Sequence, residues 1–180
     1  GEYLGMEPIF IDCENNSYNL DLNQVEDRIK KDPLIKAIVP VHYGGSPVDM
    51  KQLLEICQKS NIFVLEDAAH ALETTSSAGK VGNTNHGAAF SFYANKNMTT
   101  FGEGGAFATN DDELATTIKN LSLHGITKDG WKRFATKAKW EYDIINLGYK
   151  YNMSDISATF GNWQLKQIND WHRKRTRIAK

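Results

Sequence analysis

The stretch IFVLEDAAH, residues 62–70, decides the fold class of this 180-residue chain. Its first half, residues 62–65, is a continuous apolar run, which is typical of a strand buried on both faces of a parallel sheet. Glu66 and Asp67 follow at the carboxyl end of that strand. Because ligands of open α/β sheets bind beyond the carboxyl ends of the strands, the same stretch predicts a site as well as a strand.

Strands and helices alternate on both sides of this stretch. Further strands are predicted at residues 9–12, 35–41, 87–93 and 105–109. Apolar residues at helical spacing predict four helices, and each follows a residue that can cap its first turn: Asp21 (with Gln24), Asp49 (with Gln52), Asn110 (with Glu113) and Ser154. The alternation predicts an α/β three-layer sandwich with helices on both faces of a mostly parallel sheet.

Residues 125–144 interrupt this alternation with a polar, aromatic and irregular sequence. Structureless stretches of this length are uncommon inside a domain unless they serve a site. We therefore expect a long functional loop there.

Composition and charge exclude several classes of function. The 21 Lys and Arg nearly cancel the 22 Asp and Glu, so no overall field favours nucleic acid or a membrane surface. The basic run at residues 173–175 is interpreted as a solvated helix face. No apolar run is long enough to span a bilayer, and residue 1 begins no signal pattern. Cys13 and Cys57 lack metal-type spacing and suit a reducing compartment, so a cytoplasmic location is expected.

Two positions carry chemistry of interest, although each also has a plainer interpretation. Asp67, at the end of a buried strand, needs a cationic partner such as a protonated heterocycle, but taken alone such a residue is more often a helix cap or part of a structural ion pair. Lys96 lies between a strand and a glycine-rich turn, where desolvation can make an amine nucleophilic, but a solvated loop lysine has the same surroundings. His70 suggests a metal pair with Asp67, yet no third ligand follows at a recognisable spacing, so no metal is predicted.

Several motifs in order resemble the DegT-like sugar-nucleotide aminotransferases, which are pyridoxal-phosphate (PLP) enzymes of fold type I. The resemblance covers nearly the whole chain and rests on six segments: PIFIDCENNSYNLD (8–21), AIVPVHYGGSPVDM (37–50), VLEDAAHALE (64–73), FSFYANKNMTTFGEGGAFATND (90–111), LSLHG (121–125) and LGYKYNMSDISATFGNWQLKQI (147–168). The EDAAHA, SFYANKN and GYKYN spellings are closest to the branch that aminates UDP-4-keto-sugars at the 4-position.

The resemblance implies a role for each of five residues. Lys96 would form the Schiff base with PLP and then act as base and acid, and Asp67 would keep the pyridine nitrogen protonated. His70 would approach the phenolic oxygen of the cofactor, and Ser91 would hydrogen-bond its phosphate. Asn152 would reach the phosphate of the neighbouring subunit's cofactor, which implies a homodimer with shared active sites.

The implied activity is PLP-dependent transfer of an amino group, from glutamate by the habit of the family, to a nucleotide-linked 4-keto-sugar in polysaccharide biosynthesis. Related sugar dehydratases carry histidine in place of Lys96, so amino transfer is favoured over dehydration. Residues 1–180 are expected to form the central portion of the large PLP-binding domain, without the N-terminal phosphate loop and the C-terminal small domain. A 3-position aminotransferase, a dehydratase-like or sensing homologue, and a non-catalytic α/β nucleotide-binding module remain as alternatives.

Overall fold

A computed structural model of the chain describes residues 1–126 and 143–180. Most of the loop predicted at residues 125–144 therefore lies outside the described residues. The chain divides into two compact units, Gly1–Phe90 and Ser91–Lys180. The α/β class and the mostly parallel sheet predicted from the sequence are confirmed.

Three parallel strands organise the first unit. Strands β1 (Ala37–Ile38), β2 (Phe63–Asp67) and β5 (Gly87–Ser91) lie side by side, with Ile38 opposite Val64 and Asp67 opposite Ala89. A small antiparallel hairpin follows β2 and consists of β3 (Thr75–Ser76) and β4 (Gly79–Lys80). Strand β6 (Gly105–Ala108) completes the order β1-β2-β5-β6 of the larger sheet.

The two helices of the first unit begin where the sequence predicts. Helix α1 (Leu22–Lys31) is capped by Asp21, whose side chain accepts from the N–H groups of Asn23 and Gln24. Helix α2 (Met50–Lys59) is capped by Asp49, which accepts from the N–H of Gln52. These bonds satisfy amide groups that have no partner inside a helix.

The hydrophobic core of this unit forms where α2 packs against α1 and β2. Leu53 and Val64 are completely buried in it, and burial of side chains of this size contributes about 1.5–3 kcal/mol each. The expectation that β2 is buried on both faces is wrong, because Phe63 remains 38% exposed while Val64 is 0% exposed. Residues alternate along β2, because Val64 and Glu66 are buried whereas Phe63 is exposed and Leu65 and Asp67 are half-buried.

Two of the predicted strands differ markedly from expectation. Residues 9–12 form no strand, and a bridge joins Cys13 to Leu20 just after them. Phe10 is 90% exposed, so its segment lacks the packing that would hold it in a sheet. The strand predicted at residues 35–41 reduces to β1, with one further bridge from Val41 to Asp67.

The second unit contains helices α3 (Asp112–Leu121) and α4 (Asp155–Ala179), and α3 packs on β6. Ser154 caps α4 as predicted, through a bond from the N–H of Ser157. The cap of α3 is Asp111 and not the predicted Asn110, because the Asp111 carboxylate accepts hydrogen bonds from two backbone N–H groups of the first turn. Across residues 1–126 and 143–180, no helix combines the length and the apolar composition that crossing a membrane requires.

Candidate functional site

Asp67 ends strand β2 with its main chain fixed on one side. Its N–H donates to the carbonyl of Pro40 at 2.9 Å, and its carbonyl accepts from the N–H of His42 at 3.1 Å. The side chain is half-buried, and its Oδ1 accepts from the N–H of Ala69 at 3.1 Å. The strand therefore places a carboxylate rigidly at the carboxyl edge of the sheet.

The second carboxylate oxygen, Oδ2 of Asp67, receives no hydrogen bond from residues 1–126 or 143–180. A half-buried carboxylate with one uncommitted oxygen is destabilised unless a cation or a strong donor approaches it. A protonated ring nitrogen is a partner of this kind. The carboxylate acceptor at this position thus fits the protonated pyridine of PLP, which the resemblance assigns to it.

His70 lies three residues beyond Asp67 and is exposed. The N–H of Gly44 points to its Nδ1 at 3.3 Å, and the ring edge faces Tyr43 with the ring centroids 6.3 Å apart. A nitrogen that accepts a hydrogen bond carries no hydrogen, so the proton of the neutral ring is on Nε2. The neutral ring of His70 therefore has its N–H at Nε2.

A pair of residues behind this edge was not recognised from the sequence. His42 is 0% exposed and Glu66 is 3% exposed, and Nε2 of the histidine lies 2.9 Å from Oε2 of the carboxyl group. The sequence offered only a histidine after a strand and a glutamate before Asp67, and the four other histidines are scattered. The signal was therefore too weak to separate His42 from the rest.

Ser91 and Lys96 lie at the end of β5 and in the turn that follows it. The Ser91 hydroxyl oxygen accepts from the N–H of Tyr93 at 3.3 Å, and the N–H of Lys96 donates to the carbonyl of Tyr93 at 3.0 Å. Lys96 is half-buried and makes a further interaction besides this backbone bond. Both predicted residues thus belong to one hydrogen-bonded turn.

Helix α4 contacts the backbone that follows the turn of Ser91–Lys96. Gln164, 4% exposed, accepts from the N–H of Thr99 at 3.1 Å and donates to the carbonyl of Thr99 at 2.8 Å. A side chain at Gly161 would come within 2.9 Å of a Thr100 methyl, so a glycine is required there. The main chain three residues after Lys96 is consequently fixed to the helix by a two-point amide contact.

Asn152 follows a short extended segment that pairs with the end of α3. Tyr149 and Tyr151 donate their N–H groups to the carbonyls of Leu121 and Ser122 at 2.7 and 2.8 Å. The Nζ of Lys150 donates to Oδ1 of Asn152 at 2.5 Å. A lysine ammonium beside an amide NH₂ is a suitable donor set for an anion such as phosphate, and Lys150 was not singled out from the sequence.

The structure distributes the five predicted residues between the two units. Asp67 and His70 lie in the first unit, and Ser91, Lys96 and Asn152 lie in the second. Within the first unit, Asp67 of β2 lies opposite Ala89 of the parallel strand β5. Within the described residues, no group of three or more His, Cys, Asp or Glu side chains is arranged to hold a metal ion.

Comparison with protein families gives one match over almost the entire chain. Residues 2–180 match the DegT/DnrJ/EryC1/StrS aminotransferase family. The chain is 44% identical over 177 residues to the spore coat polysaccharide biosynthesis protein SpsC of Bacillus subtilis. The matched region covers 98% of this chain and 45% of that protein. The chain is also 44% identical over 174 residues to the uncharacterized protein MJ1066 of Methanocaldococcus jannaschii, covering 97% of this chain and 44% of that protein. The chain therefore spans about half the length of these curated relatives.

Among solved structures, the chain is similar to a putative sugar aminotransferase, Spr1654, from Streptococcus pneumoniae. The PMP-form matches with a TM-score of 0.85 and 30% identity, and covers 99% of this chain and 49% of that chain. The PLP-form matches with a TM-score of 0.84 and 29% identity, covering 99% of this chain and 47% of that chain. The fold described above is thus shared with a sugar aminotransferase solved in both cofactor forms.

Proposed function

The chain belongs to the DegT/DnrJ/EryC1/StrS aminotransferase family, and we propose that the protein transfers an amino group to a nucleotide-linked keto-sugar with PLP as its cofactor. The observation that carries this proposal is Lys96, a half-buried lysine just after a sheet strand in a chain that matches the family from residue 2 to residue 180. The similarity to a sugar aminotransferase solved in its PLP-form and PMP-form supports the choice of cofactor.

Each of the other predicted residues has an environment that suits its proposed role. Asp67 has an oxygen available for a protonated ring nitrogen, and the neutral ring of His70 has its N–H at Nε2. Ser91 would supply a hydroxyl for the phosphate of the cofactor in its own subunit. Asn152, beside the ammonium of Lys150, would supply an amide for the phosphate of the neighbouring subunit's cofactor. When bound, PLP supplies the electron sink that amino transfer requires, and the protein supplies binding, orientation and charge.

Lys96 has two proposed tasks. Its amine would hold the cofactor covalently and, when free, would move a proton between the substrate and cofactor carbons. The fixed turn around Lys96 limits the positions that the amine can reach, which favours one geometry for proton transfer.

The covalent role of Lys96 can be tested on the intact protein that contains these residues. After incubation with PLP, we expect a visible absorption band that borohydride removes, and mass spectrometry should place the reduced pyridoxyl group on Lys96. Lys96→Ala should lose both signals, whereas Lys80→Ala, which changes an exposed lysine on β4, should keep them. Absence of the band and of the adduct in the wild type would disprove the proposed function and favour a non-catalytic binding module.

The substrate proposal is finer than the family assignment. We propose a UDP-linked 4-keto-sugar as acceptor, because the EDAAHA, SFYANKN and GYKYN segments are closest to that branch. Glutamate is proposed as donor because it is the habitual donor of the family. The relative SpsC, named for spore coat polysaccharide biosynthesis, supports a role in making polysaccharide precursors. Product analysis with UDP- and dTDP-linked 3-keto- and 4-keto-sugars would decide the point, and exclusive amination of a 3-keto-sugar would contradict it.

A further inference from the structure

The buried pair His42 and Glu66 has no task in the function proposed above. Two polar side chains in a hydrophobic core lose their hydration, and apolar side chains of similar volume often give equal or greater stability. The pair lies directly behind the carboxyl edge of the sheet, since Glu66 precedes Asp67 in β2. A reason other than stability is therefore needed for its position.

The hydrogen bonds of the His42 ring fix both its tautomer and its orientation. The N–H of Val48 donates to Nδ1 at 3.2 Å, so this nitrogen carries no hydrogen. The remaining ring proton is on Nε2, which donates to Oε2 of Glu66 at 2.9 Å. The ring cannot turn without breaking both bonds inside a closed core.

The main chain of His42 transmits this fixed position to Asp67. The N–H of His42 donates to the Asp67 carbonyl at 3.1 Å. His42 thus binds the side chain of one residue of β2 and the main chain of the next. Movement of His42 would therefore shift the position of Asp67 at the carboxyl end of β2.

The segment after His42 also reaches His70. The N–H of Gly44 points to Nδ1 of His70 at 3.3 Å, and the N–H of Gly45 donates to the His42 carbonyl at 3.1 Å. A side chain at Gly45, where φ is +85°, would come within 3.0 Å of the His70 carbonyl oxygen. The turn His42–Gly45 therefore contacts both residues of the first unit that would face the cofactor ring.

We propose that His42, held by Glu66 and Val48, is a positioning residue that sets Asp67 and His70 against the ring of the cofactor. This inference rests on the proposed function, because it assigns those two residues to the pyridine nitrogen and the phenolic oxygen. It assigns to Glu66 the task of orienting His42. Neither His42 nor Glu66 needs to touch the cofactor for the device to work.

The test replaces both polar side chains of the pair together. The double variant His42→Leu with Glu66→Leu leaves neither side chain facing a lost partner, and it removes the acceptor of the Val48 N–H, which lowers the stability of the fold. We expect its dissociation constant for pyridoxamine phosphate to rise about tenfold, a typical size of coupling between contacting residues. The nitrogen NMR signal of ¹⁵N-labelled cofactor should also move toward the unprotonated pyridine.

His86→Leu is the matched control. The ring of His86 accepts from the N–H of Val64 at 3.3 Å, at the other end of β2, so its loss perturbs the same strand but not Asp67. Its affinity and nitrogen signal should equal those of the wild type. Gly45→Ala, which leaves the core pair intact and presses on His70, should weaken binding and provides a second variant should the double variant unfold.

Two failures can be told apart. A wild type that binds no pyridoxamine phosphate and forms no adduct with PLP would overturn the proposed function, and this inference with it. A wild type that forms the Lys96 adduct, together with a folded double variant of unchanged affinity and unchanged nitrogen signal, would overturn the positioning role alone. The single variant Glu66→Gln keeps an acceptor for Nε2 of His42. Wild-type affinity and an unchanged nitrogen signal in this variant would support the positioning role further.

Discussion

At the scale of single residues, the two cysteines should react very differently. Cys57 is completely buried on α2, and burial raises the pKa of its thiol to about 11, whereas Cys13 is exposed. Because the thiolate is the reactive form, only about one Cys57 in a thousand would be ionised at pH 8 even if the reagent could reach it. Iodoacetamide should therefore modify Cys13 and spare Cys57 in the native protein.

Peptide mass mapping measures this difference directly. Both cysteines should be labelled after unfolding in guanidinium chloride, and Cys13→Ser should leave these 180 residues unlabelled in the native state. Labelling of native Cys57 at the rate of Cys13 would show that α2 does not pack as described.

The residues of the candidate site were predictable to the extent that local sequence determines them. Asp67 and Lys96 could be found because each follows a strand and is flanked by recognisable motifs. His42 and Glu66 could not, because they lie 24 positions apart and their hydrogen bond forms only when β2 folds beside the preceding segment. Whether the five predicted residues act on one cofactor stays a prediction.

At the scale of elements, helix starts were predicted better than strand lengths. A cap depends on a few neighbouring residues, which is why Asp21, Asp49 and Ser154 were identified from the sequence. The miss at α3 came from three adjacent polar residues at 110–112, any of which can accept from a helix N-terminus. Strand length depends on distant partners, so the residues around β1 looked more regular than they are.

The junction between the end of α3 and the segment leading to Asn152 should be highly sensitive to a single methyl group. Gly125 has φ +69°, and a Cβ there would overlap the carbonyl of Asn146. Gly125→Ala should lower the free energy of unfolding by about 3 kcal/mol or more, since backbone strain and overlap add together. Thermal and urea unfolding would measure the loss.

Gly5→Ala isolates the strain from the overlap. Gly5 has nearly the same φ, +72°, but a Cβ there would meet nothing within 4 Å. We expect a loss of about 1 kcal/mol from the left-handed backbone alone. Equal losses at the two glycines would mean that residues 125 and 146 do not approach as closely as described.

At the scale of the whole molecule, the proposed roles of Lys96 and Asn152 predict that two inactive proteins can restore each other. If Asn152 binds the phosphate of the neighbouring subunit's cofactor, a dimer of one Lys96→Ala subunit and one Asn152→Asp subunit contains one intact site. Asn152→Asp places a negative charge against the phosphate, and so it should inactivate the homodimer by repulsion. Random exchange of equal amounts should then give about one quarter of wild-type activity, because about half of the dimers are mixed and each of these has one intact site out of two.

Exchange between the two variants must first be induced with mild denaturant and verified with a tagged subunit. Activity no greater than that of the separate parents after verified exchange would place Asn152 in its own subunit's site and remove the argument for a shared one.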